Sequence, residues 1–257
     1  MHFALKTLFV PLSIFVIISL PLSAATRGDI KILEASESIR YQINDFTRLY
    51  LIHYLFPKKG RLLYRMRKDL AGLTSSFQEI AVTTKDSKTK TLLTYFAYQK
   101  ARIEEIIQKR ADPTLLREIL ELSESFVEGA NFIARRHSYN YAFEEQMYMK
   151  THSMIHSMEE ILKYYIAEKI IKDDKNIKVK MRRYMKKFEE DLHAINEYDY
   201  NDLRVTKDRQ ILNQIWKMNH HYFDDESKSY LPLVMSVSTE RLESLLREIG
   251  TYHSRNQ

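Results

Sequence analysis

The chain has 257 residues, no cysteine, five glycines, five prolines and a formal charge of +6. Lack of cysteine excludes disulfides, thiolate metal sites, Cys-linked lipid or haem and thiol nucleophiles; scarce glycine and proline exclude the many turns a β-rich fold needs. Forty basic and 34 acidic residues are well mixed, with no block of five like charges, so nucleic-acid binding is not expected; the mild excess fits solvated helix faces, or weak attraction to acidic envelope polymers or anionic ligands.

Residues 1–25 read as a secretory signal. Lys6 supplies the positive start, Leu8 to Leu22 the apolar run, and Ser23-Ala24-Ala25 a small-residue cleavage site, with the cut expected after Ala24 or Ala25. The run is short for a membrane span and is interrupted by Pro11 and Pro21; the alternative is an uncleaved anchor. Export to the periplasm is therefore expected, with membrane attachment only through that segment if it is retained.

A first helix is expected from Ile30 to Phe56, with Ile39, Ile43, Phe46, Tyr50 and His53 on one stripe, ended by Pro57-Lys58-Lys59-Gly60. A second, Arg61 to Val82, turns Met66, Leu70, Leu73, Phe77 and Ile80 inward, and Thr83 to Ser87 is a capping turn. The third carries Leu92, Phe96, Gln99, Ile103 and Ile106. Asp112-Pro113 caps and opens the fourth, which carries Leu115, Ile119, Leu122, Phe126, Ala130 and Ile133. Only a soft break at Ser138-Tyr139-Asn140 precedes the fifth, with Met154, Met158, Ile161 and Tyr165 inward. The sixth has Met181, Met185, Phe188, Leu192 and Ile195; the seventh Ile211, Ile215, Met218 and Tyr222; the eighth Val234, Val237, Leu245, Ile249 and Tyr252.

The order repeats. Thr84-Lys85-Asp86 returns as Thr206-Lys207-Asp208, Pro113 as Pro232, His137-Ser138-Tyr139-Asn140 as His253-Ser254-Arg255-Asn256, and Phe77 and Ile80 as Leu192 and Ile195, at offsets of roughly 115 to 122 residues. The expected fold is all-α: two tandem antiparallel four-helix bundles, residues 26–138 and 139–257. Three arrangements stay open: end to end, joined through a long central helix, or side by side.

Arg40, Asn44 and Arg48 form a polar line at four-residue steps beside the first apolar stripe, and the arginine fork suits small anions. Facing its copy in a homodimer, this line would clamp one anion between chains; the alternative is snorkelling along a helix edge. His152 and His156, four apart, with Glu159 one turn on, have the spacing of a weak metal site, but Ser153, Met154 and Ile155 fill the gap where a zinc hydrolase places its glutamate. Tyr139, Tyr141, Tyr198, Tyr200 and Tyr230 near helix ends suit bundle-end packing or a partner surface. No nucleophile elbow or phosphate loop is present, so neither enzyme activity nor a cofactor is expected.

Ile39-Arg40-Tyr41-Gln42-Ile43-Asn44-Asp45-Phe46-Thr47-Arg48, with the tandem helical order, resembles the periplasmic N-terminal sensor domain of type IV pilus methyl-accepting chemotaxis transducers (PilJ-type) and nitrate-sensor input domains, whose first helix carries a Gln-Arg-Met-Leu-x-Gln-Arg-Met rhythm. Arg40 matches the first arginine and Asn44 the glutamine; Asp45 stands in place of the second arginine. The resemblance implies a sensory module with a small anionic ligand. Without a signalling domain of its own, such a module acts through an envelope or signalling partner. The alternatives are a structural or protein-interaction module of the envelope, and a helical metal-binding protein.

Overall fold

The computed structural model describes residues 27–57, 60–171, 174–224 and 229–257, and every regular element among them is an α-helix. The expected signal segment, Lys58-Lys59 and Lys172-Asp173 lie outside the described residues. The helices are α1 Arg27–Leu55, α2 Gly60–Thr83, α3 Ser87–Ile106, α4 Pro113–His137, α5 Phe143–Ile170, α6 Lys175–Glu197, α7 Leu203–Asp224 and α8 Pro232–Arg255. None is long and apolar enough to cross a membrane, among the described residues.

Aspartate side chains start four of them, accepting the first free backbone N–H groups. Asp86 accepts from Thr89, Asp112 from Thr114 and Leu115, Asp174 from Asn176, and Asp202 from Arg204 and Val205. The last corrects the expected start of the seventh helix. Thr206-Lys207-Asp208 lies inside α7, so Asp202, not Asp208, is the counterpart of Asp86.

No long central helix joins the halves. α4 stops at His137, Ser138 takes an extended conformation, and α5 restarts after Ala142, whose N–H donates to Glu145 Oε2 at 2.8 Å. In the first set α1 packs on α2 and α4, and α3 touches α2 and α4; in the second α5 packs on α6 and α8, and α7 touches α6 and α8. The two sets sit side by side, joined broadly by α1 against α5.

The two sets match in packing register. Ile39, Ile43, Phe46 and Tyr50 of α1 match Met154, Met158, Ile161 and Tyr165 of α5, and all eight are buried. Met66, Leu70, Leu73, Phe77 and Ile80 match Met181, Met185, Phe188, Leu192 and Ile195 in the same way. Ile119, Phe126, Ala130 and Ile133 of α4 match Met235, Leu242, Leu246 and Ile249 of α8. A single shift of about 115 residues covers all three pairs of helices, so the wider drift expected from sequence disappears. Pro232, which opens α8, therefore matches Leu116 rather than Pro113, and α8 begins one turn later than α4.

Two apolar stripes differ from expectation. In α7 the core receives Leu212, Trp216 and Phe223, while Met218 is 52% exposed. In α8 Val234 and Val237 are 58% and 68% exposed, and Met235 and Leu242 face inward instead. Trp216 decides the first case: its ring lies 4.2 Å from Phe188, and burying an indole outweighs burying a methionine.

Candidate functional site

The middle of the molecule is where α1 and α5 meet. Every residue from Ile43 to Ile52 of α1 and from Ser157 to Ala167 of α5 is buried. Helices enclosed on all sides are normally apolar all round, yet these two carry Asn44, Asp45 and Arg48, and Glu159, Glu160 and Lys163, at matching positions of the two copies. Glu34 and Tyr148 line one space, Asn44 Nδ2 donates to His156 Nδ1 at 3.3 Å, and Arg48 pairs with Glu159 at 3.5 Å. Partners climb both sequences together, so α1 and α5 run in the same direction.

The charges pair in a similar way in the two helices. Within each helix the basic residue pairs with an acid one turn back: Arg48 with Asp45, and Lys163 with Glu160 at 2.8 Å. Between helices the pattern is exchanged. Arg48 reaches Glu159, the counterpart of Asn44, while Lys163, the counterpart of Arg48, donates to Asn44 Oδ1 at 2.9 Å and to Ser123 Oγ at 3.2 Å. Burial alone would lower the Arg48 pKa, but Glu159 and Asp45 outweigh it and hold the guanidinium firmly protonated. At either side stands a carboxyl that is poorly ionised. Asp69 is pushed up to about 7 by burial and by the adjacent Asp45, and Glu243 is raised by burial and by Glu159. Each can retain a proton and share it with its neighbour.

Toward the α1 and α5 N-termini the helices separate into a cleft of about 280 Å³ closed on one side by α8, with Glu34, Glu37, Arg40, Tyr41, His152 and His156 among its walls. It continues into a second space of about 300 Å³ beneath the α4–α5 connection, where Tyr139, Tyr141, Glu145 and Tyr148 line it. Arg40 is held by Glu37 and by Asn131 Oδ1 at 2.8 Å, and burial lowers its pKa to about 10. The pKa of His152 falls to about 4 through burial, then through Arg247 and Arg40; that of His156 falls well below its ordinary value through burial, Arg40 and Lys163. Both imidazoles are neutral at pH 7. With Nδ1 of His156 accepting from Asn44, its Nε2 carries the proton.

The expected site residues thus separate into two places. Arg40, His152 and His156 share the cleft, whereas Asn44, Arg48 and Glu159 belong to the enclosed charge layer. Arg48 already holds two carboxylates there, and Glu159 faces Arg48 and Glu243 rather than the histidines. No group of three or more metal-ligating side chains occurs among the described residues. Glu34, Glu37, Tyr41, Tyr148 and Arg247 are not legible from sequence because they come from three helices, and Lys163 because it meets Asn44 only where α5 lies against α1. The matching pairs Asp45/Arg48 and Glu160/Lys163 are the signal the sequence carries for it.

No family model, curated protein or solved structure matches the chain.

Proposed function

We propose that the chain is an exported sensory module that binds a small ligand in the cleft between α1, α5 and α8 and reports its occupancy to an envelope or signalling partner. The observation that carries this reading is the position of the cleft: it lies at the join of the two copies, where α1 and α5 make the broad contact between the halves. A ligand wedged there changes the packing of two otherwise separate bundles, which is how a small binding energy is converted into a change of shape. The resemblance in helix order and first-helix rhythm to PilJ-type sensor domains supports the same reading. No nucleophile–base pair stands in the cleft wall, and its histidines are tuned to stay neutral rather than to titrate near pH 7, so binding fits better than catalysis.

The test is a thermal-shift screen of small metabolites of both charges against the protein and against Ser38→Trp, which places an indole in the cleft mouth. Ligands that raise Tm in the first and not in the second are the expected result. A screen in which nothing stabilises the protein, or in which Ser38→Trp responds equally, contradicts the reading. A second reading, docking without a ligand, draws on Tyr95 and Tyr98 of α3, which are 50% and 73% exposed; exposed tyrosines are favoured at partner surfaces. It predicts a crosslinked partner that Tyr98→Ser loses and Ser38→Trp keeps.

A further inference from the structure

We infer that the cleft takes an organic cation: an ammonium group attached to an apolar or aromatic body. The inference rests on the cleft being the binding site, and it reverses the sign of the ligand that the Arg40, Asn44 and Arg48 line implied.

The outer space is lined by Glu34, Glu37 and Glu145 and by Tyr139, Tyr141 and Tyr148, without a single lysine or arginine. In a chain with 40 basic against 34 acidic residues that is an unexpected lining. The two arginines stand in the inner part, where Arg40 is tied to Glu37 and Asn131 and Arg247 stacks 5.5 Å over the Tyr41 ring. An anion in the outer space would meet three carboxylates and no basic side chain in its lining.

A cation meets the opposite. Glu34 is exposed to the cleft and has no basic side chain within ion-pair distance among the described residues, one helical turn from Glu37, whose charge Arg40 balances. Tyr139 Oη donates to Glu145 at 2.9 Å, which fixes that ring, and Tyr139 and Tyr141 stand at 54° with centroids 4.5 Å apart. Tyr148 and His152 make a second tilted pair, at 51° and 4.4 Å. Two angled aromatic pairs and three carboxylates line one volume, the combination of rings and negative charge by which an ammonium is held through cation–π and charge attraction. Neutral His152 adds a ring nitrogen that accepts a hydrogen bond from an N–H of a primary ammonium. Leu33, Ile30 and Met149 supply the apolar wall for the body of the ligand. The size, about 300 Å³, is at the small end of ligand pockets and fits one compact amine.

The positions that make the cleft are also where the two copies diverge. Glu37 and Tyr41 of α1 correspond to His152 and His156 of α5, so the carboxylate lies on one wall and the neutral imidazoles on the other. Further along, the buried apolar positions Ile39, Ile43, Phe46 and Tyr50 keep step with Met154, Met158, Ile161 and Tyr165, and Asp45 and Arg48 keep step with Glu160 and Lys163.

The experiment is isothermal titration of the full chain at pH 7 with three ammonium probes (choline, 1,5-diaminopentane and phenethylamine) and with benzoate as an anion of similar size. The expected result is saturable binding of at least one ammonium probe, weakened about tenfold by Glu34→Gln and by Tyr148→Leu, and unchanged by Glu190→Gln, which removes a surface carboxylate paired with Lys186 on α6, a helix that contributes no residue to the cleft lining. Circular dichroism of each variant confirms that the exposed Glu34 substitution leaves the helices intact. Failure of all three probes, or binding indifferent to Glu34→Gln, overturns the inference. If benzoate then binds and Ser38→Trp abolishes it, the cleft remains the site and only the ligand class is wrong. If neither charge binds, the reading of the cleft as a ligand site falls with it.

Discussion

Arg48 is 3% exposed and faces two buried carboxylates, Asp45 and Glu159, so its removal leaves negative charge stranded in a low-dielectric interior. Arg48→Ala should lower the unfolding free energy by about 3–5 kcal/mol in urea titration, while Arg204→Ala, at an exposed pair with Glu248, should change it by less than about 1 kcal/mol. Comparable effects of the two would contradict an enclosed charge layer. Asp69 gives the layer a pH dependence. Its folded pKa of about 7 lies above the ordinary carboxylate range of the unfolded chain, so the native state binds the proton more tightly. Its contribution is complete below pH 4 and is lost as pH rises toward and through 7; Glu243, also raised, extends the loss to higher pH. The urea midpoint should therefore fall between pH 4 and 7 more steeply in the protein than in Asp69→Asn. Equal slopes would show that Asp69 ionises as an ordinary carboxyl. At this scale the sequence revealed residue types and spacing but not partners. Arg40 and Arg48 look alike on a helical line, yet one faces a cleft and the other is enclosed, because burial depends on where α5 lies.

At the scale of elements, breakers and caps made the helices legible. Asp112-Pro113 marks the start of α4, Asp86 that of α3, and the apolar stripes of α1, α2, α5 and α6 are the ones observed. The reading failed where a helix touches its neighbours on a narrow face. α7 has four apolar residues at 211, 215, 218 and 222 that form a plausible stripe, but the adjacent row, with Leu212, Trp216 and Phe223, buries more aromatic surface. Rows one residue apart differ by about 100° around the axis, so a substitution pair separates them. Trp216→Ala should cost about 3–5 kcal/mol and Met218→Ala less than about 0.5 kcal/mol; the reverse order would restore the row read from sequence. A close approach elsewhere tests the α3–α4 contact. A Cβ on Gly129 would stand 2.5 Å from Phe96 Cζ, inside the Phe77, Phe96 and Phe126 cluster. Gly129→Ala should therefore destabilise by about 1–3 kcal/mol despite the better helix propensity of alanine, measured as a lower urea midpoint; a gain would mean that the ring moves aside freely.

The whole molecule is two sets of four helices side by side, with apolar stripes in matching register, joined through α1 and α5. The matching order of the two sets left echoes in the sequence such as His137 and His253, which pair with Asp29 at 2.9 Å and Glu144 at 2.7 Å. The lateral arrangement was not legible there, because a helix that is buried on every side leaves the same local pattern whether its second neighbour is a copy of itself or another helix. What distinguishes the two is a polar pair crossing from one copy to the other, and such a pair is visible only in three dimensions. The most direct test is a double-mutant cycle on the cross-copy pair, Arg48→Met, Glu159→Gln and both together, in urea at pH 7. The account predicts a coupling energy of about 1–3 kcal/mol; strictly additive effects would mean that α1 and α5 do not meet there, and the joined-copy architecture and its cleft would be wrong.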